Sequence, residues 1–176
     1  KGEASPTPMT AAEREEALAF LRDPNLIERL KEDFALAGCV GEESAMLVGY
    51  LAALSRKLEE PLSVVFCARS GAGKSNLQER VCDFVPPEDL IRYTRVTGRA
   101  LFYHEEEALV RKVLAIDEEE GAAEAGYALR NLQSGGYLSV SSTRTDPQTG
   151  KHKADTYRVN GPTAIQRLAL LILSPI

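Results

Sequence analysis

The chain has 176 residues, enough for one well-buried domain with a small helical attachment. It is 44% hydrophobic and 27% charged, an ordinary globular composition, and its formal net charge of −5 excludes a global attraction to nucleic acid or anionic lipid. Any nucleic-acid contact must then come from a local basic patch. Cys39, Cys67 and Cys82 are too far apart for a C-x-x-C metal site, and an odd count without a framework points to a reducing compartment. No stretch reaches membrane-spanning length and no signal peptide is evident, so the expectation is no membrane association and a cytoplasmic location.

Residues 1–9 are polar with two prolines and read as a disordered lead-in; residues 10–60 then read as a helical region. Thr10 and Glu13 form a capping box, with Ala17, Leu18 and Leu21 on one helical face. Asp23-Pro24 is read as the N-cap and first position of a second helix carrying Leu26, Ile27, Leu30 and Phe34, which Gly38 ends. A third helix is expected over Glu42–Leu58, with the stripe Met46, Leu47, Tyr50, Leu51, Leu54, and with Arg56 and Lys57 against its C-terminal dipole. These stripes are core and carry no chemistry.

From Leu62 the rhythm changes to strand–helix alternation, the mark of a parallel α/β sheet over residues 61–176. The apolar run Leu62–Cys67 leads into Ala68-Arg69-Ser70-Gly71-Ala72-Gly73-Lys74-Ser75, and a helical pattern follows over Asn76–Val85. Strand, Gly-rich loop and helix in that order form a phosphate-binding P-loop. Gly71 and Gly73 let successive backbone N–H groups converge, and the helix that starts near Lys74 adds its positive end. Lys74 would reach the β- and γ-phosphates of ATP, and the Ser75 hydroxyl would hold Mg²⁺. The pattern G-x-x-x-x-G-K-[ST] has one departure, Ala68 in place of its first glycine.

Pro86-Pro87 stops that helix, Leu90–Val96 reads as a second strand, and Arg99–Lys112 as a helix. Val113–Ile116 has the profile of a buried parallel strand, and it runs into Asp117-Glu118-Glu119-Glu120. An acidic strand end at the same carboxyl edge as a P-loop supplies what phosphoryl chemistry needs: Asp117 for Mg²⁺, and Glu118 to polarise the attacking water. Glu119 is the next candidate base, although Glu119 and Glu120 read first as acids in the opening turn of the next helix, Glu120–Gln133. Gly135-Gly136 stops that helix. The β-rich runs Tyr137–Thr143 and Thr156–Val159 flank the turn residues Asp146–Gly150, so a β-hairpin is expected between the acidic strand and the last apolar strand. Its arms carry Arg144, Lys151, His152, Lys153 and Arg158, candidates for DNA contact or else a solvated surface.

The P-loop, the Ile116-Asp117-Glu118 edge and the following hairpin resemble an AAA+ P-loop ATPase of the hairpin-bearing helicase branch, which includes the minichromosome-maintenance helicases. A closer resemblance, from about Leu26 to Pro162, is to the ATPase part of bacterial primase-associated, helicase-like proteins of the zinc-finger and Toprim type. It rests on Gly49–Leu58, Ser70–Ser75, Ala128–Ser134 and Asp146–Gly150. The resemblance implies an ATP- and Mg²⁺-dependent module for DNA replication that works as a homo-oligomeric ring, with the hairpin touching DNA and residues 68–76, Asn76 included, around the nucleotide.

The departures are specific. In the family a strand after Gly161-Pro162 ends in a polar sensor residue, whereas here it reads Thr163–Ile172. The helical lid with its second sensor, and the arginine finger, have no counterpart before Ile176. The chain starts at Lys1 and stops just after an apolar run, which suggests a piece of a longer polypeptide, weak or inactive in ATP turnover by itself. The alternatives are another P-loop phosphotransferase and a nucleotide-binding regulatory module without turnover.

Overall fold

The apolar run at 113–116 forms the buried middle of a parallel sheet, as its uninterrupted hydrophobicity requires. The computed structural model describes residues 8–68, 74–97, 100–119, 122–145 and 152–170. Three helices come first: α1 (Ala11–Leu21), α2 (Leu26–Leu36) and α3 (Glu43–Leu54). An α/β succession follows: β1 (Val64–Ala68), α4 (Lys74–Asp83), β2 (Leu90–Val96), β3 (Lys112–Glu119), α5 (Ala122–Gly135), β4 (Tyr137–Thr145), β5 (His152–Asn160) and β6 (Thr163–Leu170). Four strands make one parallel sheet in the order β1-β6-β3-β2, while β4 and β5 pair antiparallel as a separate ribbon.

Alternation along the strands gives the sheet two different faces. Phe66, Val113 and Ala164 pack with Met46 of α3, Val81 of α4 and, further out, Leu30 and Phe34 of α2. Leu114, Ile116 and Ile165 point the other way, against Leu129 and Leu132 of α5, Leu138 and Val159 of the ribbon, and Leu101 and Leu109. The helical region therefore shares a core with the sheet.

Local signals explain many of the boundaries. Thr10 and Glu13 form the expected reciprocal capping box on α1. Gly38 adopts φ 89°, and the Gly38 and Cys39 N–H groups return to the Ala35 and Phe34 carbonyls, which closes α2 with a Schellman motif. The lead-in residues 1–7, the turn residues Asp146–Gly150 and Glu120 lie outside the described residues.

Several expectations are corrected. The N-cap of α2 is Asn25; Asp23 lies before it, and its carboxylate accepts the Asn25 N–H at 2.8 Å and a bond from Arg29. Helix α3 ends at Leu54, followed by a 3₁₀ turn over Ser55–Lys57. Its buried line is Met46, Gly49, Ala52 and Ala53, and Leu51 and Leu54 face outward. Small residues win there because the helix lies close to the sheet: a Cβ at Gly49 would come within 2.8 Å of Val81 and 2.9 Å of Phe66.

The helix expected over Arg99–Lys112 does not form over its described residues, 100–112. A 3₁₀ turn covers Ala100–Tyr103, and the backbone beyond it bonds to the β5–β6 connection. The Glu106 carbonyl accepts the Asn160 N–H, the Leu109 carbonyl accepts the Thr163 hydroxyl, and the Arg111 N–H reaches the Pro162 carbonyl. Glu119 belongs to β3, paired with Val96, and not to the opening turn of α5.

Arg56 and Lys57 meet a carboxylate, and Arg56 also meets the carbonyl end of α3. Arg56 is buried, with Nε and Nη2 donating to Asp89 Oδ2 at 3.0 and 2.8 Å and Nη1 donating to the Ala53 carbonyl. Lys57 Nζ donates to the same oxygen at 2.7 Å. This knot ties the end of α3 to the start of β2. Burial pushes the Asp89 carboxyl up, but the bonds from Lys57 and Arg56 outweigh it and hold the group below its usual range. Asp89→Ala strands the buried guanidinium, so urea unfolding at pH 7 should show a loss of about 3 kcal/mol. Because the folded carboxyl titrates below its unfolded value of about 3.9, the stabilisation is complete above that pH. It should fade as pH falls through the depressed folded value, and the variant should show no such acid limb.

Candidate functional site

Strand β1 ends at Ala68 and helix α4 begins at Lys74. The loop residues Arg69, Ser70, Gly71, Ala72 and Gly73 lie outside the described residues. Ser75 and Asn76 occupy the exposed first turn of α4. Strand β6 separates β1 from β3, so the carboxyl ends of β1 and β3 lie along one edge of the sheet, two strands apart. In open parallel sheets ligands gather at that edge.

Asp117 lies near the carboxyl end of β3. Arg92 of β2 places Nη2 3.6 Å from Asp117 Oδ2 and Nη1 3.5 Å from Glu79 Oε1 of α4. The other carboxylate oxygen, Asp117 Oδ1, is buried and has no hydrogen-bond partner. Glu118 follows in β3, opposite Arg95 in the register.

Gln78 Oε1 and Gln166 Oε1 are buried without partners as well, but of these three oxygens only Asp117 Oδ1 is anionic, which is what a cation would need. Among the described residues no group of three or more His, Cys, Asp or Glu could hold a metal ion by itself. Mg²⁺ in nucleotide sites does not need such a cage, because it takes one or two protein oxygens and completes its shell with phosphates and water. Asp117 and Ser75 would be the protein ligands.

Two buried amides hold this edge together. Gln78 has no exposed surface, and its Nε2 donates to the Gln166 carbonyl at 3.2 Å and the Ile116 carbonyl at 3.4 Å. Gln166 is equally buried, and its Nε2 donates to the Gly49 carbonyl at 3.1 Å. Helix α4 is thereby fastened to β6 and to the residue preceding Asp117. Arg92, Glu79, Gln78 and Gln166 were not among the sequence candidates. A signal for Gln78 was present: 78, 81, 82 and 85 follow the helical period, and only Gln78 in that buried line is polar.

The basic candidates on the ribbon fall in different places. Arg144 and Lys153 are register partners, His152 pairs with Thr145, and Lys151 lies outside the described residues. Arg158 is near the ribbon's base. Its guanidinium lies 4.5 Å over the Tyr137 ring, and its Nε donates to Asn160 Oδ1 at 2.9 Å. No helix among the described residues is long and apolar enough to cross a membrane.

No protein-family model matches the chain, and no curated protein matches it. The functional reading therefore rests on the chemistry of the site.

Cys82 lies beneath that site on α4. Burial pushes its thiol up to about 11; Arg92 opposes the shift, and Asp117, Asp83 and Glu79 add to it. Cys39 is buried and also raised, first by burial and then by Glu43 and Glu42. Cys67 is exposed. Maleimide labelling of the native protein at pH 8, mapped by mass spectrometry, should modify Cys67 first. Cys39 and Cys82 should react at least roughly tenfold more slowly.

Proposed function

We propose that the chain is an ATP-binding and ATP-hydrolysing module of the AAA+ hairpin-bearing type, part of a helicase or primase-helicase that acts on DNA as a homo-oligomeric ring. One observation carries the reading. The segment with the P-loop residues connects the carboxyl end of a parallel strand to a helix, and Asp117, with a buried partnerless oxygen, lies at the same sheet edge. The ribbon between α5 and β6 is the part offered to DNA, and the cytoplasm is the compartment.

In this reading the backbone N–H groups of residues 69–73 and the amino end of α4 bind the phosphates, and Lys74 neutralises the terminal ones. Ser75 and Asp117 would hold Mg²⁺, which when bound offsets charge developing on the transferred phosphoryl group. Glu118 orients a water and accepts its proton as attack proceeds. An arginine from a neighbouring subunit would complete the site, a contribution on the order of 10³ to 10⁵ in rate. The isolated chain should then turn over ATP barely above background.

Lys74→Ala should weaken binding of a fluorescent ATP analogue by about two orders of magnitude or more, because it removes the one P-loop side-chain cation that reaches the terminal phosphates. Wild-type affinity in that variant would remove the P-loop reading. Glu118→Gln should keep ATP binding and, in the assembled ring with DNA present, abolish phosphate release. Normal turnover in Glu118→Gln would shift the base to another residue, Glu119 first. ATP turnover indifferent to single- and double-stranded DNA would exclude the helicase assignment.

A further inference from the structure

The contacts of Arg92 have an unusual length. In the Asp89 knot, Arg56 Nη2 comes to 2.8 Å of its carboxylate, the range of a strong charge-assisted hydrogen bond. Arg92 instead stands 3.6 Å from Asp117 and 3.5 Å from Glu79. It is shared between two carboxylates at ion-pair distance and closes a tight bond with neither. Asp83, the next acid on α4, is paired with Arg80 at 3.0 Å. Among the described residues the one buried carboxylate oxygen without a partner belongs to Asp117.

The two acids that share Arg92 have different positions. Glu79 is four residues after Ser75, so the two lie on one face of α4, a turn apart. Asp117 is on β3, across from that face. The guanidinium thus spans the gap between helix and strand, 3.6 Å from Asp117, one of the two residues assigned to the metal. A divalent ion bound to Asp117 would be repelled by a cation left at 3.6 Å, and Glu79 offers that cation another partner without leaving the site.

We propose that Arg92 is a placeholder cation: it pairs with Asp117 in the metal-free site and is taken up by Glu79 when a divalent ion enters. The proposal rests on the nucleotide-site reading above and adds a specific competition to it. Arg92 does not touch the nucleotide in this scheme, and its effect reaches the metal through Asp117. Glu79 sets how readily the exchange occurs.

The test is Mn²⁺ binding to the full chain with saturating ADP, followed by electron paramagnetic resonance of free Mn²⁺. Arg92 and Glu79 are both partly exposed, at 34% and 47%, so neutral substitutions should leave the fold intact, which circular dichroism can confirm. Arg92→Gln removes the competitor and should tighten Mn²⁺ by roughly tenfold. Glu79→Gln leaves Arg92 with Asp117 alone and should weaken Mn²⁺ several-fold, by roughly three to ten times. The double variant should follow Arg92→Gln, since Glu79 has nothing left to receive. ADP affinity measured in a chelator should change less than about twofold throughout.

Weaker Mn²⁺ binding in Arg92→Gln would overturn the proposal and make Arg92 a clamp that shapes Asp117. Unchanged Mn²⁺ binding in both single variants would also overturn it, and Lys74-dependent nucleotide binding would survive either result. A wild-type chain that binds no nucleotide would remove the proposal together with the reading beneath it.

Discussion

Gln166 is a polar side chain with no exposed surface in one of the two inner strands of the sheet, and the arrangement around it depends on where its amide finds partners. A buried amide group left unbonded costs on the order of 1–3 kcal/mol. Gln166 Oε1 has no partner, but its Nε2 donates to the Gly49 carbonyl of α3, a helix that lies close enough for a Cβ at Gly49 to meet Phe66 and Val81. The Gln166 backbone carbonyl in turn accepts from Gln78 of α4, whose amide also meets the Ile116 carbonyl of β3. Two side chains thus join α3, β6, α4 and β3 through directional bonds, where apolar packing alone would leave the helices free to slide. The helix that opens the candidate site and the strand that carries Asp117 are held in register by those bonds.

Much of this was legible from local patterns. The capping box at Thr10 and Glu13, the stop at Gly38, strand β2 with its bounds at Leu90 and Val96, and the buried run before Asp117 all follow from backbone requirements that a few neighbouring residues meet. The misreadings have a common physical source. Asp89, the carboxylate that Arg56 and Lys57 share, could not be read from the end of α3 because it is over 30 residues away. The helix expected over 99–112 gives way, over the described residues 100–112, because the carbonyls of Glu106 and Leu109 are claimed by Asn160 and Thr163, more than 50 residues further on. The stripe assigned to α3 favoured Leu51 and Leu54, while close packing on the sheet favoured Gly49 and Ala53. In each case a distant partner outweighed local propensity.

The same distinction applies to the site. Lys74, Ser75, Asp117 and Glu118 could be singled out from two short stretches, because a phosphate loop and an acidic strand end are local patterns. The cation shared between Asp117 and Glu79 could not. Arg92 lies in a strand whose alternation reads as ordinary, and its role depends on which carboxylates the fold brings beside it. Gln78 was recoverable in principle as a polar residue on a buried helical line, but its partners come from two strands that the helix period cannot reveal.

Strand β6 is the last of the described strands in chain order, yet it lies between β1 and β3. Val64 pairs with Gln166, and Lys112 with Thr163, so the two strands that frame the candidate site have no sheet contact with each other except through it. During synthesis the β2–β3 pair can form early. Strand β1 must wait for roughly a hundred further residues before it has a neighbour, a closure of high contact order. On the ribosome β1 is made before β3, but the two come into alignment only after β6 emerges. A nascent chain therefore cannot assemble that sheet edge until nearly all of the described structure has been translated.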